Sequence, residues 1–290
     1  MTRQTGVRER RSRRNQLQGM APVVRSVELA GHVRLPYVEQ GDASGVPFVI
    51  LHAIADSWLS FERVLPHLPD SVHAFAVTQR GHGDASRPAA SYRTGDFAAD
   101  LAAFMDALRL DAAVIVGGSS GGFVARRFVI DHPERALGLV LLGSPAVLRG
   151  KPGVQEMWET TVSKLTDPVD PDFVRAFAES TVARPVPLAF LETLVQENLK
   201  VPARVWKATF QGLLEDDSFG QLDKISAPTL IVWGDRYAFL TRADQERLKA
   251  AIAGSRLVVY PGTGHAVYWE APERVASALA AFVDEVSVRP

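Results

Sequence analysis

The stretch VGGSSGG, Val116–Gly122, closes the apolar run Ala112–Val116 and leads into FVARRF, Phe123–Phe128. An apolar run of strand length, a glycine-rich turn and apolar residues on one helical side predict strand, tight turn and helix. That is the context of a nucleophile elbow, where a serine takes a strained backbone conformation and small residues two before and two after it avoid clashes. The pattern G-x-S-x-G fits twice, as Gly117-x-Ser119-x-Gly121 and as Gly118-x-Ser120-x-Gly122. A phosphate-binding loop is the competing reading. No G-K-[ST] follows, and the dinucleotide spacing G-x-G-x-x-G with an acidic residue at the end of the next strand is not met.

Outward from the elbow, strand-length apolar runs alternate with helical patterns. PFVILHA (47–53), VHAFAVTQ (72–79), ALGLVLLG (136–143), PTLIVWG (228–234) and RLVVYPG (256–262) read as strands, and VRSVELAG (24–31) with VRLPYVEQGD (33–42) reads as a strand pair. Phe97, Leu101, Phe104, Met105 and Leu108 recur at helical spacing between two of them. The alternation predicts an α/β fold: a mostly parallel, eight-stranded sheet covered by helices on both faces and entered by an antiparallel hairpin. One interval is too long for a plain crossover: Ala146–Lys224, roughly eighty residues, separates the sixth strand from the next. Its aromatic residues, among them Trp158, Phe173, Phe177 and Trp206, and its prolines at 168, 171, 185, 187 and 202 predict several short helices forming a lid. The expected organisation is a basic, disordered tail over 1–20, a core over 21–145 and 225–290, and a helical cap over 146–224.

Composition excludes several function classes. The chain has 290 residues, 47% hydrophobic and 22% charged, with a net charge of −1, so no global field recruits nucleic acid or an anionic membrane. It has no cysteine, which removes disulfides, thiolate catalysis and Cys-based zinc sites and leaves the redox compartment open. Residues 1–20 carry six arginines and one acid without the apolar core of a secretory signal. An Arg-rich leader resembling a transit peptide is the alternative to a plain tail. No run of about 18 apolar residues occurs, so a cytoplasmic protein that meets a small-molecule substrate, without nucleic acid or membrane, is expected. Homo-oligomerisation stays open. No metal constellation or cofactor motif is visible.

With these residues in place, the chain resembles the α/β-hydrolases that carry a helical cap inserted after the sixth strand, over nearly all of Val23–Val286. That family's usual elbow is V-G-H-S-M-G-G. Laid on VGGSSGG, it puts the nucleophile at Ser119, with Gly118 where histidine often stands and Ser120 where methionine does. His132-Pro133-Glu134-Arg135, the family's habitual helix end, falls in register with Ser119. LHAIADSW resembles the H-G-x segment, which implies oxyanion donors in the backbone N–H groups of Ile54 and Ser120. Ala53 takes the place of the family's glycine and is tolerable only at negative φ. RGHGDASRP (80–88) resembles the loop after the fourth strand, with His82 in a structural role. PGTGHAVYWEAPER puts His265 where the family keeps its general base.

The acid departs from the pattern. The family's W-G-x-x-D is here Trp233-Gly234-Asp235-Arg236-Tyr237, so a phenol that stays neutral near pH 7 stands at the acid position. Three explanations stay open: Asp235 substitutes as the acid; a carboxylate from elsewhere, Asp56 being the weaker candidate, serves; or a Ser–His dyad works slowly, or hydrolysis has been lost in favour of ligand binding. Asp235 can equally be a loop carboxylate that caps its turn. A serine at the elbow argues against dehalogenase and epoxide hydrolase chemistry, which in this family starts from aspartate. What the resemblance implies is a serine hydrolase acting on a small, fairly apolar ester or lactone. The alternatives are a C–C bond hydrolase, a cofactor-free perhydrolase and a non-catalytic ligand-binding protein.

Overall fold

Strands β1 (Val24–Leu29), β2 (Val33–Gln40), β3 (Val46–Leu51) and β4 (Val72–Val77) build the first half of one eight-stranded sheet. β5 (Ala113–Gly118), β6 (Ala136–Leu142), β7 (Thr229–Gly234) and β8 (Arg256–Tyr260) build the second. The computed structural model describes residues 22–89 and 91–287, so the basic segment 1–20 lies outside the described residues. The spatial order is β1-β2-β4-β3-β5-β6-β7-β8. β1 pairs antiparallel with β2, and β2 antiparallel with β4; every later pairing is parallel.

The central strands read as unbroken apolar runs because both of their faces are covered. Side chains alternate between two cores, as the pleat requires. Val49, Leu51, Ile115, Leu139, Leu141 and Ile231 join one, with helices α1 (Thr94–Ala107) and α2 (Gly121–Asp131). Phe48, Ile50, Val114, Val116, Val140 and Val232 join the other. Every residue of β5 is buried between the two cores, so the elbow that follows it stands on a strand covered on both faces.

Between β6 and β7 lie four helices: α3 (Pro152–Thr160), α4 (Pro171–Glu179), α5 (Leu188–Leu199) and α6 (Ala203–Glu215). Phe173 and Phe177 meet Trp206 edge-on at 5.5 and 5.2 Å between centroids, so much of the insertion's aromatic content packs on itself. The remaining helices are α7 (Arg242–Ala251), α8 (Val267–Glu270) and α9 (Pro272–Ser287). Among the described residues no helix is long and apolar enough to cross a membrane.

One buried cation ties both roots of the insertion to the core. Arg126, on α2, is fully buried. Its Nη1 donates to the carbonyls of Pro145 and Ala146 at 3.0 and 2.9 Å, where the chain enters the insertion. Its Nε donates to Ser218 Oγ at 2.8 Å and its Nη2 to Asp216 Oδ1 at 3.1 Å, where the chain leaves it. Its guanidinium lies 3.9 Å from the Phe123 ring centroid. A desolvated charge that loses its partner is costly. Asp216→Ala is therefore expected to destabilise the fold by about 3–5 kcal/mol in urea unfolding. Removing the half-exposed Asp131 partner of Arg127 should cost about 1 kcal/mol or less.

Candidate active site

The two serines of the elbow are built differently. Ser119 has φ +49°, a conformation that costs a residue with a Cβ about 1–2 kcal/mol and is held by its surroundings. Its N–H donates to Leu142 O of β6 at 2.8 Å, and its own carbonyl accepts from Gly122 N at 3.0 Å. The flanking glycines leave no choice of residue: a Cβ on Gly117 would lie 2.4 Å from Gly121 O, and one on Gly121 would lie 2.6 Å from the carbonyls of Leu51 and His52. Ser120, by contrast, has φ −64° and ψ −27° and already belongs to the start of α2. The spacing around Ser119 is thus the one that the turn needs.

His265 sits in the turn between β8 and α8. The loop is pinned by Glu270, whose Oε1 accepts from Gly264 N at 2.8 Å and Ala183 N at 2.9 Å, and by Ala266 N donating to Thr181 O at 3.0 Å. Across the site, His265 Nε2 lies 2.7 Å from Ser119 Oγ. With Nε2 accepting the serine proton, the ring proton must be on Nδ1. Nδ1 is buried and has no hydrogen-bond partner among the described residues. Burial lowers the His265 pKa to about 4, so the imidazole is neutral at pH 7.

The sequence's candidate acid is elsewhere. Asp235 Oδ1 accepts from Gly262 N at 2.6 Å and stands 3.8 Å from Arg236 Nε, so it caps the turn after β8 instead of meeting His265. An extended chain points residues 235 and 237 to the same side. Here residue 237 takes the place beside the imidazole: the Tyr237 ring stacks on it at 4.5 Å between centroids and 23° between planes. Burial raises the Tyr237 pKa to about 12, so the phenol is neutral. It presents a π face, which attracts a cation above it.

Asp56 does line the cavity that holds Ser119 and His265, together with Asn198, Phe177 and Tyr268. Its carboxyl is bound otherwise: Ser60 Oγ donates to Oδ2 at 2.6 Å and Asn198 Nδ2 to Oδ1 at 3.1 Å. Burial pushes its pKa up to about 7 against these hydrogen bonds, with Glu197 adding to the rise. Asp56 thus links the oxyanion segment to helix α5 of the insertion. Tyr268, from α8, fills the space beside Gly118, where a Cβ would come within 2.9 Å of its ring.

The oxyanion segment has the expected course and one unexpected occupant. Ala53 is not among the residues with positive φ; Ala55, two residues on, has φ +69° and makes the bend. The Ile54 N–H donates to Ser120 Oγ at 2.6 Å. A side-chain oxygen therefore stands where a developing oxyanion would accept from that amide. His52 and His82 both lie near this loop as neutral, buried rings: His52 Nδ1 donates to Ala53 O, and His82 Nδ1 to Arg80 O, each at 2.7 Å. The position of Tyr237 over His265 and of Ser120 on Ile54 could not be read from spacing, since both depend on rotamers in a closed pocket.

A strained serine on a strand-to-helix turn, an imidazole on its oxygen and a sheet of this order belong together in one family, and the family comparison agrees. The model for the alpha/beta hydrolase fold matches residues 46–272. The chain belongs to the α/β-hydrolase family. Among its relatives, it is 27% identical over 252 residues to the AB hydrolase superfamily protein YisY of Bacillus subtilis, covering 82% of this chain and 91% of that one. It is 24% identical over 237 residues to 3-oxoadipate enol-lactonase 2 of Acinetobacter baylyi, covering 79% and 86%. An esterase from Exiguobacterium antarcticum has the same fold, with a TM-score of 0.79 at 22% identity over 90% of this chain and all of that one. Proteins named as a lipase and an esterase stand among its relatives and structural neighbours, which supports hydrolase activity.

Two predictions follow from this geometry. A fluorophosphonate probe is expected to label the protein, to lose its target in Ser119→Ala and to label Ser120→Ala at least as fast as the parent, because the alanine frees the Ile54 amide. For the pH dependence, the neutral imidazole is the reactive form and is lost only as pH falls through about 4, the lowered pKa of the folded protein. The acid limb of kcat/KM should therefore lie near 4; a limb near 6.5, an ordinary histidine, would contradict the burial argument.

Proposed function

We propose that this hydrolase cleaves a small, fairly apolar ester or lactone through an acyl-enzyme formed on Ser119. The observation that carries the reading is the 2.7 Å contact between Ser119 Oγ and His265 Nε2. Ser119 attacks the carbonyl carbon as its proton passes to His265 Nε2. The tetrahedral oxyanion accepts from the N–H groups of Ile54 and Ser120 once the Ser120 hydroxyl has swung aside. His265 returns the proton to the leaving oxygen, and a water activated in the same way releases the acid.

Without a carboxylate on Nδ1, the imidazolium needs other support. Tyr237 offers its ring face at 4.5 Å, an interaction of about 0.5–2 kcal/mol when desolvated. A triad carboxylate is worth about ten-thousandfold in kcat, near 5.5 kcal/mol, so the stack replaces only part of it. The reading is of a slow dyad enzyme. The helical insertion serves as its cap: Phe177, Ala178 and Asn198 roof a cavity of about 20 Å³, room for a water and not for an ester. Substrate entry thus requires the insertion to move away from the oxyanion segment.

A second reading, a ligand-binding protein on a hydrolase fold, draws on the partnerless Nδ1 and on Ser120 occupying the Ile54 amide. Replacements at position 237 separate the two. Tyr237→Asp is expected to raise turnover of a short-chain nitrophenyl ester by about tenfold or more, since a carboxylate steadies the imidazolium. Tyr237→Phe should stay near the parent and Tyr237→Leu fall by about tenfold or less, as a lost ring face predicts. No turnover by the parent or by Tyr237→Asp, with tight binding of an apolar ligand, would favour the receptor.

A further inference from the structure

Behind the oxyanion segment lies a second chamber. Gln79, His82, Thr94 and Thr209 line it, and all four are at least nine-tenths buried. Each of them carries a buried atom with no hydrogen-bond partner among the described residues: Gln79 Oε1, His82 Nε2, Thr94 Oγ1 and Thr209 Oγ1. Four such atoms on residues that line one cavity are unusual, because a buried polar atom left unpaired forfeits its hydration without compensation. The chamber measures about 10 Å³, the size of a single oxygen-sized group. Ala53 and Ile54 line both this chamber and the cavity of Ser119, so the two are neighbours across the oxyanion loop.

The polarity of the four atoms is fixed by what their other ends do. His82 Nδ1 donates to Arg80 O at 2.7 Å, which leaves Nε2 a bare acceptor. Gln79 Nε2 donates to His52 O at 2.9 Å, which leaves Oε1 as a second acceptor. The two threonine hydroxyls can give or take a proton. A carbonyl or carboxylate guest would leave both fixed acceptors unpaired. An ammonium guest would be a buried charge with no counter-charge among these four groups. A hydroxyl oxygen fits: it donates to Nε2 or Oε1 and accepts from the threonines.

We propose that this chamber is a subsite for a hydroxyl group of the substrate, which displaces a water held there in the free protein. The inference rests on the hydrolase reading of the neighbouring Ser119 site and narrows its substrate class to hydroxylated esters or lactones. Thr209, on α6, comes from the insertion, and the other three groups come from the core; the chamber is therefore completed only when the two are closed on each other.

Two experiments test it. In the first, nitrophenyl 3-hydroxybutyrate is compared with nitrophenyl butyrate, and 2-hydroxyethyl butyrate with propyl butyrate. In at least one pair the hydroxylated ester should have the higher kcat/KM by about tenfold or more, since a site built for a hydroxyl penalises its absence. In the double variant Thr94→Val with Thr209→Val the ratio should fall close to one, while Thr209→Ser, which keeps its hydroxyl, retains it. Neither threonine hydroxyl bonds to any of the described residues, so their removal takes none of the described hydrogen bonds from the fold. Equal rates within both pairs, or a ratio unmoved by the double variant, would overturn the proposal. The second experiment is independent of turnover: Ser119→Ala crystals soaked with methyl 3-hydroxybutyrate should show its hydroxyl in the chamber. A water remaining there beside bound ester, or no ester at all, would overturn the subsite. Failure of every ester to turn over, with the hydroxyl seated in the soaked crystal, would instead count against the hydrolase reading alone.

Discussion

The constraint on which the site depends is the backbone of Ser119. A residue with a Cβ is held at φ +49° because β5 ends between β3 and β6, its amide is tied to Leu142 O, and α2 must start within two residues. Glycines at 117 and 121 are consequences of that turn, since a Cβ at either would meet backbone at 2.6 Å or less. The turn lifts Oγ clear of the sheet toward the loop after β8. Strain of this kind persists only where close packing over-determines it, and the two cores that sandwich β5 supply that packing.

Around this fixed serine the electrostatics are unusually neutral. His265, His52 and His82 all have pKa values pulled down by burial, Asp56 and Tyr237 have theirs pushed up by it, and Nδ1 of His265 faces no carboxylate. A site so poor in fixed charge, with Asp56 bound to Ser60 and Asn198 and not to the imidazole, is weak at steadying an imidazolium, yet it is suited to hold apolar groups. The stacked Tyr237 ring fits this regime: it covers the imidazole, excludes water from it and still offers a weakly negative face.

Much of the architecture was legible because it follows from periodicity and steric necessity. Central strands had to be continuous apolar runs, the elbow had to be glycine-flanked, and roughly eighty residues between β6 and β7 had to form structure of their own. The meeting of Ser119 and His265 was legible for the same reason, their loops being defined by the strands that precede them. The acid was not. Spacing put Asp235 and Tyr237 on one side of the chain, but the amide of Gly262 captured the carboxylate at 2.6 Å and left the imidazole to the ring. Nor did the pattern G-x-S-x-G contain the hydrogen bond from Ile54 N–H to Ser120 Oγ, which depends on a rotamer and on a loop distant in sequence.

The insertion and the loops around Ser119 and His265 are coupled through a few polar contacts. Asn198 of α5 reaches Asp56 beside the oxyanion segment, Thr181 O receives the amide next to His265, and Glu270 binds the amides of Ala183 and Gly264 together. The roots, meanwhile, are locked by Arg126. Burial favours the protonated form of the Asp56 carboxyl, while its hydrogen bonds from Ser60 and Asn198 favour the charged one, so the contact that couples α5 to the oxyanion segment holds this carboxyl between two opposing influences.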